Sequence, residues 1–60
     1  MIEIRAELTE QQAWAFAQFL KRVGFVDYMN NAVDSDEARE MLEAGEELRK
    51  AFAEAGYAPR

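Results

Sequence analysis

Thr9-Glu10-Gln11-Gln12-Ala13-Trp14-Ala15-Phe16-Ala17-Gln18-Phe19-Leu20-Lys21-Arg22-Val23-Gly24 is the stretch whose reading decides the fold. Thr9 reads as a helix N-cap, and Gln12 three residues on completes a capping box. Glu10 suits the positive end of a helix dipole. A helix over 10–23 then places Ala13, Phe16, Ala17, Phe19, Leu20 and Val23 on one broad face, with Gln11, Gln18 and Arg22 opposite. Gly24 is expected to stop it as a left-handed cap.

On the N-terminal side, residues 2–8 alternate. Ile2, Ile4, Ala6 and Leu8 point one way and Glu3, Arg5 and Glu7 the other, which is the period of a half-buried strand. No later segment alternates this way, so the strand has no partner within the chain. Its backbone must hydrate or pair elsewhere, and pairing with the same strand of a second copy is expected, making Ile2, Ile4, Ala6 and Leu8 candidate dimer residues.

On the C-terminal side, Phe25, Tyr28, Met29, Ala32 and Val33 mark one face of a short helix over 25–33. Asp34 is the next N-cap, with Glu37 as its capping-box partner. A third helix follows over 35–55 with an inward face of Ala38, Met41, Leu42, Gly45, Leu48, Phe52 and Ala55. Gly56 ends it, and Pro59 discourages continuation. Gly45 lies at the centre of that face, where glycine costs about 1 kcal/mol against alanine. Close packing, by another helix or a ring such as Phe16, explains it, and a hinge is the alternative.

The predicted fold is therefore mostly α with one short N-terminal strand, in the order β-α-α-α, as a single domain over 1–60. The first and third helices pack antiparallel and the middle helix closes one end. The expected core is Ile4, Leu8, Phe16, Leu20, Val23, Phe25, Met29, Met41, Leu48 and Phe52. Each large side chain contributes roughly 1.5–3 kcal/mol when fully buried. A chain of 60 residues buries only about 60% of its unfolded surface, so a homodimer through residues 2–8 or through Trp14 is expected.

Composition excludes several function classes. Cysteine and histidine are absent, which removes disulfides, thiolate metal sites, the commonest metal ligand and the commonest general base. The hydroxyls of Thr9 and Ser35 are explained as helix-start residues, and no histidine or buried lysine is available to activate them. The three glycines are isolated, so no phosphate-cradling loop exists. Asp34-Ser35-Asp36 opens like a calcium loop but has Arg39 where glycine is required and Gly45 where a bidentate Glu is required. No catalytic residue, metal or cofactor is expected. No apolar run approaches the roughly 18 residues of a membrane span, and Met1-Ile2-Glu3-Ile4-Arg5 does not open like a signal peptide. A cytoplasmic location in a bacterial host cell is expected.

Charge is the most informative feature. The net is −5, yet residues 1–26 sum to zero, residues 27–47 carry eight acids against Arg39 alone, and residues 48–60 return +2. Asp36, Glu40, Glu43, Glu47 and Glu54 fall on one side of the third helix, with Glu46 flanking and Lys50 expected to pair with Glu46. One reading is a solvated helix face. The other is a negative stripe that occupies a site built for a phosphate backbone, with Asp36, Glu40, Glu43, Glu46 and Glu47 as protein-binding residues. Direct nucleic-acid binding needs basic residues instead. Trp14 lies about 100° from the centre of the first helix's inward face. It either covers the core edge or anchors an interface, where Trp is enriched.

Two resemblances follow. The order strand, Thr9 cap, helix, Gly24, second helix resembles ribbon-helix-helix DNA-binding proteins, which pair N-terminal strands in a dimer. That resemblance implies a regulator or antitoxin reading the major groove through Glu3, Arg5 and Glu7, of which two are acidic and repel DNA. The run Gln12–Phe25, the Asp27-Tyr28 pair and the ending Glu54-Ala55-Gly56-Tyr57-Ala58-Pro59-Arg60 resemble short acidic proteins of bacteriophages and plasmids. Anti-CRISPR inhibitors, some of them DNA mimics, belong to that group. The resemblance implies a mobile-element origin and a partner with a basic surface, such as a CRISPR effector complex. A structural assembly protein is a third reading.

Overall fold

Thr9 opens the first helix as its side chain dictates. Its Oγ1 accepts from the Gln12 N–H at 3.1 Å, and the Gln12 Oε1 accepts from the Thr9 N–H at 2.9 Å. Two backbone donors that the helix leaves unpaired are thereby satisfied. In the computed structural model, which describes residues 1–60, three helices follow: α1 (Glu10–Arg22), α2 (Phe25–Asn30) and α3 (Ser35–Glu54).

Gly24 does not take the expected left-handed conformation. Its backbone is extended (φ −116°, ψ 177°), and it is the N-cap of α2, with its N–H donating to Asp27 Oδ2 at 2.8 Å. Only Val23 and Gly24 separate α1 from α2, so the residue that leaves one helix must already enter the next. α2 is also shorter than its apolar periodicity suggested. Asn31 Nδ2 donates back to the Asp27 carbonyl at 2.8 Å, and the chain turns there. Asp34 caps α3 by accepting from the Glu37 N–H at 2.8 Å. The Glu37 carboxylate reaches one residue further back than a capping box would, to the Val33 N–H at 3.0 Å.

The end of α3 matches its sequence. Gly56 has φ +100°, its N–H donates to the Ala53 carbonyl, and the Tyr57 N–H donates to the Phe52 carbonyl at 2.8 Å. This pair of bonds is a Schellman motif.

α1 and α2 each pack on α3 and not on each other. The ring pairs Trp14–Tyr57 and Phe16–Phe52 set α1 antiparallel to α3. Tyr28 of α2 lies over Gly45 of α3. A Cβ on Gly45 would overlap the Tyr28 hydroxyl and approach its Cζ to 3.2 Å. Close packing is thus the reason for the glycine, and the ring is Tyr28 rather than Phe16.

Two expectations are corrected. Residues 2–8 form no strand, and the order is α-α-α. The backbone of residues 1–8 makes no backbone hydrogen bond, and Ile2, Ile4, Ala6 and Leu8 are exposed. The cause is the one already visible in sequence: a single chain offers this segment no second edge. The core also differs. Its buried residues are Ala13, Ala17, Leu20, Ala38 and Gly45, with Ala38 wholly inaccessible. Val23, Met41 and Phe52 are half-buried, while Ile4, Leu8, Phe16, Phe25, Met29 and Leu48 are exposed. Four small residues and Leu20 hold the seam, and the other large side chains splay around it instead of filling it.

Candidate interaction surfaces

α3 presents opposite faces of opposite character. Around a helix with about 100° per residue, Asp36, Glu40, Glu43, Glu47 and Glu54 cluster about 180° from Gly45. The face that packs on α1 and α2 therefore points the carboxylates away from the protein, and all five are exposed, as is Glu46. Countercharge is sparse. Arg39 Nη1 approaches Asp36 Oδ1 at 3.9 Å, and Lys50 Nζ donates to Glu47 Oε1 at 3.3 Å. Lys50 thus pairs with Glu47 rather than with Glu46. Both pairs are solvent-exposed, where such contacts contribute about 0–1 kcal/mol. Glu40, Glu43 and Glu46 have no ion-pair partner. No three carboxylates converge as a metal site would require.

The ridge has a definite pitch. From Asp36 to Glu47 the helix rises about 16 Å. Along that rise the four far-face carboxylates Asp36, Glu40, Glu43 and Glu47 step by about 6, 4.5 and 6 Å, wider than the about 3.4 Å per phosphate on one DNA strand.

Trp14 sits at the other flank of α1. Its ring meets the Tyr57 ring edge-on, centroids 5.1 Å apart. The Schellman turn at Gly56 delivers Tyr57 to that position. Trp14 is at a boundary, as its helical angle implied, and its contact is with its own chain.

A further surface was missed in sequence. Ala6, Leu8, Gln12, Ala15, Phe16, Phe19, Leu48 and Phe52 line an apolar groove that contains no ionisable group. Phe16 stacks obliquely on Phe19 (5.3 Å) and on Phe52 (6.0 Å). Yet Phe19 is 51% exposed, Leu48 48% and Phe16 44%. The signal was the width of the apolar arc on α1. Ala13, Ala17 and Leu20 turn to α3, while Phe16, Phe19 and Ala15 continue the arc beyond what α3 covers. The candidate dimer residues divide along the same line: Ala6 and Leu8 line the groove, Ile2 and Ile4 do not.

No helix is long and apolar enough to cross a membrane. No curated protein and no solved structure matches the chain. A family model matches it from residue 1 to residue 60, and the chain belongs to that family of unknown function, DUF7706.

Proposed function

We propose that this protein is a non-catalytic binding module that presents the α3 ridge to a basic, nucleic-acid-binding surface of a partner protein and occupies it in place of DNA. One observation carries the reading: Asp36, Glu40, Glu43 and Glu47 are all exposed on the face of α3 turned away from the packing, Glu46 is exposed on its flank, and Glu40, Glu43 and Glu46 have no ion-pair partner. Complementary potentials of this kind speed encounter and fix orientation. An anti-CRISPR-type inhibitor that blocks an effector complex in the bacterial cytosol is the form this takes. The cation-poor ridge itself repels nucleic acid, so the module competes with DNA rather than binding it.

The test is affinity capture from a nuclease-treated bacterial extract, with wild type beside the Glu40→Lys, Glu43→Lys variant. Wild type is expected to retain a DNA-binding complex, to lose it as salt rises, and to be displaced by duplex DNA. The variant is expected to retain none of it. Equal retention by both proteins would sink the reading, because the ridge would then be ordinary solvated surface.

A further inference from the structure

Two copies of α1 and α3 offer a better-covered surface than one. We propose that the apolar groove between Leu8, Phe16, Phe19, Leu48 and Phe52 is the seat of a second copy of this chain, in a two-fold dimer. The inference stands apart from the ridge, which lies on the far side of α3.

Three observations select a second copy as the occupant. The first is area. The chain exposes 5217 Å², whereas a folded monomer of 6.9 kDa exposes roughly 4,000 Å². The excess, roughly 1,200 Å², exceeds the roughly 800 Å² per partner of a standard interface. Only five of 60 residues are buried, and none of the large side chains is fully so. A two-fold contact presents the same patch twice, so the groove together with the exposed residues 1–8 supplies both halves of the missing core.

The second is charge. A chain of net charge −5 resists self-association unless its contact face is neutral. Every residue lining the groove is uncharged, while the ridge acids point away from it. Two copies therefore meet across the groove without opposing their carboxylates.

The third is the N-terminal segment that leads into the groove. Residues 1–8 leave their backbone without backbone partners. Thr9 is already engaged, through its N–H to Gln12 and its carbonyl to the Ala13 N–H. Antiparallel pairing with a second copy is self-complementary when Ile4 faces its own mate. Glu3 of each copy then faces Arg5 of the other, and only residues 1–7 are used. Centring on Arg5 instead would set Arg5 against Arg5 and Glu3 against Glu7, and like charges directly opposite destabilise a ribbon. Centring on Ala6 leaves only residues 4–8 to pair before Thr9, which the α1 cap already holds.

The experiment is sedimentation equilibrium of the full chain at high micromolar concentration, with far-UV circular dichroism on each variant. Wild type is expected at twice 6.9 kDa. Ala15→Arg places a long cation in the groove at an exposed helical position and is expected to halve the mass with helicity retained. Phe19→Glu is the second variant, with the same expectation. The Glu40→Lys, Glu43→Lys variant is expected to remain dimeric, which separates this proposal from the one on the ridge. Wild type at 6.9 kDa, or both groove variants still at twice that mass, overturns the proposal. Since the chain has no cysteine, oxidised Ile4→Cys can form only an intermolecular disulfide. Its formation is expected from the Ile4 register, and its absence with the doubled mass intact overturns the pairing of the N-terminal segments.

Discussion

The Tyr28 ring lies against the bare backbone of Gly45, with no room for a Cβ between them. This contact locks α2 to α3 at the centre of the fold, and it accounts for a glycine in the middle of a 20-residue helix. Helix propensity alone would reward alanine at position 45 by about 1 kcal/mol. Overpacking against a half-buried ring typically costs about 1–3 kcal/mol. Gly45→Ala is therefore expected to lower stability by about 1 kcal/mol net. In a Tyr28→Phe background, which removes the overlapping oxygen, the same substitution should be neutral or better. A double-mutant cycle by urea unfolding measures the difference. A gain in stability from Gly45→Ala alone would show that the ring moves aside at no cost.

The capping box at Thr9 is a separate and local contribution. Thr9→Ala leaves the Gln12 N–H without its Oγ1 acceptor and is expected to cost about 1 kcal/mol. In a domain of this size that lowers the melting temperature by about 4–8 °C. Thr9→Ser retains the acceptor and should recover most of the loss. Thermal melts of both variants check the prediction, and equal melting temperatures would show that the cap contributes nothing.

Trp14 reports on the C-terminus. Its edge-on contact with Tyr57 depends on the left-handed Gly56, where any Cβ-bearing residue is strained. Tyr57→Ala is expected to cost about 1 kcal/mol beyond the lost area and to shift Trp14 fluorescence to the red as water reaches the indole. Gly56→Ala should produce the same spectral shift without touching either ring. Emission spectra under native conditions decide it: an unshifted Gly56→Ala would mean Tyr57 finds the indole without the Schellman turn.

The ridge should be dispensable for folding. Asp36–Glu40 and Glu43–Glu47 are like-charge pairs four residues apart, each opposing the helix by about 0.2–0.5 kcal/mol. Glu40→Lys with Glu43→Lys is expected to leave stability unchanged or slightly raised, within about 0.5 kcal/mol. Urea titration at low salt checks this. A large loss would mean that these carboxylates hold the fold together and would void their use as a purely functional probe.

Much of the local structure was legible in the residues. The starts of α1 and α3 and the stop at Gly56 are governed by bonds that close within five residues: Thr9 with Gln12, Asp34 with Glu37, Tyr57 with Phe52. Such bonds depend on spacing alone, so spacing predicts them. The acid positions on α3 were legible for the same reason, since a helix carries its periodicity with it. Gly24 was misread because the same residue serves as a helix stop and as a helix entry, and only the two-residue connection between α1 and α2 chose the second.

By itself, then, the sequence determined three helices, the starts of α1 and α3, the stop at Gly56 and the charged face of the longest one. The tertiary structure decided which ring covers Gly45, that Trp14 meets Tyr57, and how much of α1 is covered. It also decided that Ala6 and Leu8 line the apolar groove while Ile2 and Ile4 stand clear of it. These outcomes depend on which surfaces remain after α3 has accepted both α1 and α2. One helix offers one apolar stripe. With Tyr28 over Gly45 and the alanines of α1 along the seam, that stripe is used up, and Phe16, Phe19 and Leu48 remain half in water.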